Sequence, residues 1–169
     1  CRVTTTTISR NQFECATARV REAGLADRVE VLLQDYRELD GKYDKIVSIE
    51  MIEAVGADHL DRYFECCGRL LKSDGMMLLQ AITIADSCYD LALRSVDFIQ
   101  QHVFPGSFIP SVSAMTGAIK RTTQLKLTHL EDIGPHYARP LHAWRENFRA
   151  TLAAVRAQGF PESFIRMWE

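Results

Sequence analysis

The chain alternates between two hydrophobic periods. Residues 2 to 9, RVTTTTIS, are β-branched and alternating, which predicts a strand. From Ser9 the apolar positions change to Phe13, Ala16, Val20 and Ala23, one face of a helix. Ser9 followed by Gln12 fits an S-x-x-Q capping box, and Gly24 supplies a left-handed stop. Val29, Val31 and Leu33 alternate in a second strand that runs out at Asp35 and Tyr36, and residues 43 to 50 make a third. After Gly56, Leu60, Tyr63, Phe64, Cys67 and Leu71 share one helical stripe. KSDG then turns the chain into MMLLQAITI, whose unbroken apolar run predicts a buried strand over 76 to 84.

Beyond this strand, residues 86 to 103 read as helical, FPGSFIPS as a loop and SVSAMTGAIKRT as a further helix. LKLTHLED, residues 125 to 132, reads as a strand. Leu141, Trp144, Phe148, Leu152 and Val155 then lie at helical spacing until Gly159. There is no internal repeat and no low-complexity linker.

Strands alternating with helices predict an α/β fold with a parallel sheet covered by helices on both faces. In such sheets ligands bind beyond the carboxyl ends of the strands. Thr7 and Ser9, Asp35 and Tyr36, Glu50 and Glu53, and Gln80 all fall there, so the acids that end the third strand mark a rim rather than a core.

Length and charge narrow the reading. The 169 residues suit one domain, and a net charge of −2 without a basic run excludes a nucleic-acid partner. The five cysteines form no CxxC pair, which argues against a metal or disulfide framework. No apolar stretch approaches the roughly 18 residues of a membrane span and no signal-like start is present, so a cytoplasmic protein is expected. The chain opens inside a strand-like segment, and a preceding piece is therefore expected.

The rim suits a nucleoside-bearing cofactor. Asp35 can accept from an exocyclic amine, and Tyr36 can lie on a purine, a contact worth about 1–3 kcal/mol in nucleic-acid binders. The two residues equally suit a turn acid and a core aromatic. A nicotinamide dehydrogenase would close the ribose-holding strand with an acid, whereas TTTTIS ends in hydroxyls. An interaction module without catalysis also fits the 169 residues taken alone.

Seven segments in order carry a resemblance: TISRNQ (7 to 12), DRVEVLLQDYREL (27 to 39), KYDKIVSIEMIEAVG (42 to 56), MLLQAIT (77 to 83), DFIQQHVFPG (97 to 106), EDIGPHYARPLHAW (131 to 144) and FIRMWE (164 to 169). The chain resembles the cyclopropane-fatty-acid synthase family, with the mycolic acid cyclopropane synthases, over almost its whole length. The resemblance implies a Rossmann-like class I methyltransferase sheet that uses S-adenosylmethionine. It implies that Thr7 and Gln12, with Ser9 beside them, hold the ribose and methionyl side, and that Asp35, Tyr36 and Arg37 flank the adenine. It further implies that Glu53, Tyr137 and the residue at position 80 form a bicarbonate site.

Two positions depart from that pattern. Gln80 stands where many members carry His, and Ala54 where His commonly follows the acid. A glutamine donates through its amide but cannot become a cation, so either the bicarbonate site is neutral or bicarbonate is not used.

The implied reaction moves a methyl or methylene carbon from S-adenosylmethionine to the double bond of an unsaturated lipid acyl chain. Methyl transfer leaves a carbocation, and loss of a proton from the new methyl to a base held by Glu53 closes a cyclopropane ring. Methylation without ring closure, on an acyl chain or a small molecule, is the alternative. Tyr137, Phe104 and Phe108 are aromatic candidates near the cation, although both Phe also read as core plugs. The apolar stretch 86 to 119 reads as an insertion covering the acyl chain. The lipid substrate implies peripheral membrane contact.

The family's first strand with its glycine-rich turn, its last strand and its catalytic cysteine have no counterpart here. The chain is thus expected to be one methyltransferase domain truncated at both ends, with a gap between the strands at 2 to 9 and 43 to 50. The isolated 169 residues are accordingly expected to bind S-adenosylmethionine weakly or not at all, and micromolar affinity by calorimetry would refute this.

Overall fold

The computed structural model describes residues 1–169, which divide into two compact units, 1–126 and 127–169. The first begins with strand β1 (Val3–Thr7), helix α1 (Arg10–Glu22) and strand β2 (Val29–Leu33). β1 and β2 pair in parallel, from Val3 opposite Val29 to Thr7 opposite Leu33. A parallel pair needs a crossover, and α1 supplies it. Ser9 caps α1 by accepting from the Gln12 N–H. At the other end Gly24, with φ +67°, lets its own N–H reach the Arg21 carbonyl and the Leu25 N–H reach the Val20 carbonyl. These two bonds form a Schellman stop.

The second half of this unit repeats the arrangement. Strand β3 (Tyr43–Ile49) pairs in parallel with β4 (Leu71–Gln80), and α2 (Leu60–Leu70) makes the crossover. From Lys45 opposite Met76 to Ile49 opposite Gln80 the ladder is regular. Lys72–Gly75 form an excursion in which the register jumps. β1–β2 and β3–β4 are separate two-stranded sheets, as expected for a gapped Rossmann-like sheet.

The core lies around α2. Leu60, Tyr63, Phe64 and Cys67 are buried with Ile52, Phe108 and, from α5 (Val112–Thr122), Met115 and Ala118. Arg121 of α5 grips Asp61 of α2 through Nη2 at 2.6 Å and Nε at 3.1 Å. Tyr63 is the centre of the packing. Its ring meets Phe64 and Tyr36 edge-on, at 5.0 and 5.9 Å, and its hydroxyl donates to Ser48 Oγ at 2.8 Å. Burial pushes the pKa of the Tyr63 hydroxyl upward and that of the Cys67 thiol up to about 12.

The structure corrects several expectations. The strand expected at 76 to 84 ends at Gln80 and is not buried on both sides. Met77 and Leu79 pack on the core, while Met76 and Leu78, with Val47 and Ile49 of β3, lie on an open face. One helical layer covers this sheet, and an apolar run alone cannot tell one covered face from two. Residues 125 to 132 form no strand, because no neighbour offers them a ladder. Leu71 closes the stripe of α2 but already belongs to β4.

The helix expected over 86 to 103 is two, α3 (Asp86–Ala92) and α4 (Phe98–His102). Asp97 starts the second with a full capping box: it accepts from the Gln100 N–H at 2.8 Å, and Gln100 Oε1 accepts from the Asp97 N–H at 3.0 Å.

The second unit, taken by itself, has a 3₁₀ turn at Gly134–Tyr137, then α6 (Ala138–Ala150), α7 (Leu152–Ala157) and α8 (Glu162–Trp168). The single long helix expected there breaks at Thr151, whose hydroxyl donates to the Asn147 carbonyl at 2.9 Å. No helix of the structure is long and apolar enough to cross a membrane.

Tyr63→Phe removes one hydroxyl and leaves buried Ser48 without its partner. The expected loss is about 1–3 kcal/mol, read as a lower urea midpoint.

Candidate functional site

At the carboxyl end of β1, Thr7, Ser9 and Gln12 form one connected group. Thr7 Oγ1 donates to Gln12 Oε1 at 2.7 Å and accepts from the Ser9 N–H at 3.1 Å. The capping box expected for Ser9 and Gln12 is therefore only half made. Ser9 accepts from the Gln12 N–H, but the Gln12 side chain turns to Thr7 instead of back to the Ser9 N–H. A hydroxyl donor at the strand end outcompetes that return bond. Just upstream, Thr6 Oγ1 donates to the Gln34 carbonyl and ties the ends of β1 and β2 together.

Asp35, Tyr36 and Arg37 follow β2 on the neighbouring strand end. Asp35 starts a 3₁₀ turn at Tyr36–Glu38 by accepting from the Arg37 N–H at 2.9 Å. It also takes the Arg37 guanidinium in a fork, Nε at 2.9 Å and Nη2 at 2.7 Å. The Arg37 hydrogen bonds hold the Asp35 carboxyl below its ordinary pKa. The Tyr36 ring leans on Tyr63 yet stays partly exposed, and burial raises its hydroxyl pKa.

The third group lies where β3 and β4 end. Glu50 has φ +47°, and no other residue except glycine has a positive φ. Such a conformation costs of order 1–3 kcal/mol and survives only where neighbours enforce it. Here the Glu50 N–H donates to the Gln80 carbonyl and Gln80 Nε2 donates to Glu50 Oε1, both at 2.9 Å.

Three residues on, Glu53 sits in the 3₁₀ turn Ile52–Ala54 and is 8% exposed. Its Oε1 accepts from the Ile82 N–H at 2.6 Å, and its main-chain carbonyl accepts from the Phe108 N–H at 2.9 Å. Oε2 is buried and has no partner. Leaving a buried carboxylate oxygen without a donor is costly, and Oε2 is the one acceptor at these strand ends so left.

Gln80, which the resemblance groups with Glu53 and Tyr137, gives its amide to Glu50. Ala54 in the same turn offers no side-chain donor. Tyr137 lies in the second unit, half-buried, with Trp144 edge-on at 6.2 Å. Phe108 belongs to the buried core, and Phe104 is 61% exposed. Sequence reasoning missed the Ile82 and Phe108 main-chain donors, which leave no trace in residue type.

The frame behind these groups is that of the class I S-adenosylmethionine-dependent methyltransferases. A crystal structure of mycolic acid cyclopropane synthase CmaA1 complexed with SAH and CTAB matches it with a TM-score of 0.87 and 27% identity, over 99% of this chain and 61% of that one. The model of the mycolic acid cyclopropane synthetase family matches residues 1–169, and the chain belongs to that family. It is 39% identical over 163 residues to the tuberculostearic acid methyltransferase UfaA1 of Mycobacterium tuberculosis, covering 96% of this chain and 38% of that protein. It is 36% identical to the cyclopropane-fatty-acyl-phospholipid synthase of Escherichia coli K12, covering 96% of this chain and 40% of the relative. The chain thus spans about two fifths of the length of these curated relatives.

The Asp35–Arg37 pair generates a pH test. A depressed carboxyl contributes stability that is complete above its unfolded value, near 3.8, and is lost as the pH falls through its lower folded value. Asp35→Asn is expected to flatten the acid limb of the urea-midpoint curve by at most about 1 kcal/mol, since Arg37 is half exposed.

Proposed function

We propose that this chain is part of an enzyme that transfers a one-carbon unit from S-adenosylmethionine to the double bond of an unsaturated lipid acyl chain and closes a cyclopropane ring. The observation that carries this reading is the unpartnered, buried Oε2 of Glu53 at the ends of β3 and β4. A carbocation on an alkane chain needs a base and little else, and a carboxylate oxygen without a competing donor is such a base.

The strand ends fit the cofactor. Thr7 and Gln12, joined at the end of β1, would hold its ribose and methionyl side with Ser9, and Asp35, Tyr36 and Arg37 at the adjacent end of β2 would flank its adenine. When bound, S-adenosylmethionine would supply an electrophilic methyl: the alkene π pair would form the new C–C bond, the C–S pair would stay on the sulfur of the departing thioether, and positive charge would be left on the neighbouring carbon. Glu53 Oε2 then accepts a proton from the added methyl, and the freed C–H electron pair forms the third ring bond.

Bicarbonate does not fit the same groups. Gln80 is held by Glu50, Glu53 Oε1 is taken by Ile82, and neither acid is in an ion pair with Lys, Arg or His that would offset a second negative charge beside it. No step is assigned to it.

The stretch 86 to 119 would cover the acyl chain. Residues 91 to 104 within it expose Leu91, Val96, Phe98 and Phe104, side chains suited to a lipid and to contact with a membrane surface. A second reading, methylation without ring closure, is favoured by the name of the 39% identical relative, a tuberculostearic acid methyltransferase.

The test is to incubate the full-length protein with methyl-labelled S-adenosylmethionine and unsaturated phospholipid, with and without bicarbonate. Label is expected in a cyclopropyl acyl chain in both conditions, and Glu53→Gln is expected to lower the rate by about 10²–10⁴-fold. Label in a branched methyl or methylene chain would select the second reading, and no label in lipid would reject both.

A further inference from the structure

Glu50 raises a question that packing does not answer. At Gly24, Gly41, Gly56, Gly106 and Gly159 the chain meets a positive φ with glycine, which adopts it freely. At position 50 it uses glutamate. The side chain is exposed, so it adds nothing to the core. What glutamate offers and glycine lacks is the carboxylate that accepts from Gln80 Nε2 at 2.9 Å.

That bond closes a circuit between the ends of two strands. The Glu50 N–H reaches the Gln80 carbonyl, the Gln80 amide reaches back to Glu50 Oε1, and two residues past Gln80 the Ile82 N–H meets Glu53 Oε1 at 2.6 Å. The chain between Glu50 and Glu53 is only a 3₁₀ turn, so the angle at which it leaves β3 sets where the Glu53 carboxylate lies. The circuit also directs the Gln80 amide. An amide N–H donated to Glu53 would stabilise its charged form and weaken it as a base.

We propose that Glu50 is a positioning residue: it holds the Gln80 amide away from Glu53 and fixes the turn in which Glu53 meets Ile82. This rests on the reading of Glu53 as the proton acceptor. Left-handed strain at Glu50 is retained because its side chain organises the reacting group, not because it stabilises the fold.

The two roles separate in one substitution. In the full-length protein Glu50→Gly removes the strain and the acceptor together. The thermal midpoint is expected to stay level or rise, KM for S-adenosylmethionine to change less than about twofold, and kcat to fall by about tenfold or more. Glu50→Gln keeps an acceptor oxygen and is expected to restore kcat to within about threefold of the parent. Amide hydrogen exchange gives a readout that needs no substrate: the Ile82 N–H is expected to lose protection in Glu50→Gly by about tenfold while the midpoint holds.

Unchanged protection at Ile82 overturns the proposal whatever the activity. A midpoint and kcat that fall together would make Glu50 a stabilising residue and overturn it as well. A parent enzyme that puts no label into lipid would reject the proposed function, while the exchange experiment would still decide the role of Glu50.

Discussion

The Tyr63 hydroxyl donates to Ser48 in a place that water does not reach, and the ring around it is wedged between Tyr36 and Phe64. This contact joins three parts of the first unit that no ladder joins: the middle of β3, the helix α2 and the turn that follows β2. The two sheets share no backbone hydrogen bond, so side chains must hold them in relation. Arg69 adds to the same seam, giving Nη2 to the Arg37 carbonyl and accepting from Lys42 Nζ at its own carbonyl. The positions of Asp35 and Tyr36 relative to Glu50 and Glu53 follow from how α2 is seated, because both strand ends are fastened to it.

Within that frame the polar groups differ in how firmly they are committed. Asp35 and Arg37 satisfy each other, and Thr7 and Gln12 form a short chain of donors and acceptors. These groups hold one another in place, and side chains so fixed have little ordering left to lose. Glu53 is different. One oxygen is satisfied by a main-chain amide, and the other is left with nothing. A fold governed by stability alone would pair that atom or remove it.

The fold was legible where period and strand end coincide. β1, β2 and β3 and the helix α2 follow from alternation and from a 3.6-residue stripe, and Thr7, Asp35 and Glu53 stand where a parallel sheet places its ligands. The open face of β4 was not legible, because Met76 and Leu78 are as apolar as Met77 and Leu79 beside them. The break between α3 and α4 was written in D-x-x-Q at Asp97 and Gln100 but lost inside a longer apolar pattern. Residues 125 to 132 have a strand's composition and no partner, and a strand is a property of two segments. The Ile82 contact to Glu53 is made by main chain and leaves no signature, and the left-handed turn at Glu50 is hidden by a residue that rarely adopts it.

The excursion Lys72–Gly75 lies at the opposite end of β4 from Gln80. Gly75 closes it tightly, with Leu71 Cδ2 only 2.8 Å from where a side chain would begin, yet Ser73 and Asp74 at its tip are exposed and bear no ladder bond to β3. Chain length can vary at this tip without reaching the Gln80 end of the strand, because the regular register resumes at Met76 and carries nothing of the tip's geometry forward. A reporter peptide or an affinity handle spliced between Ser73 and Asp74 would ride on the protein as a passenger.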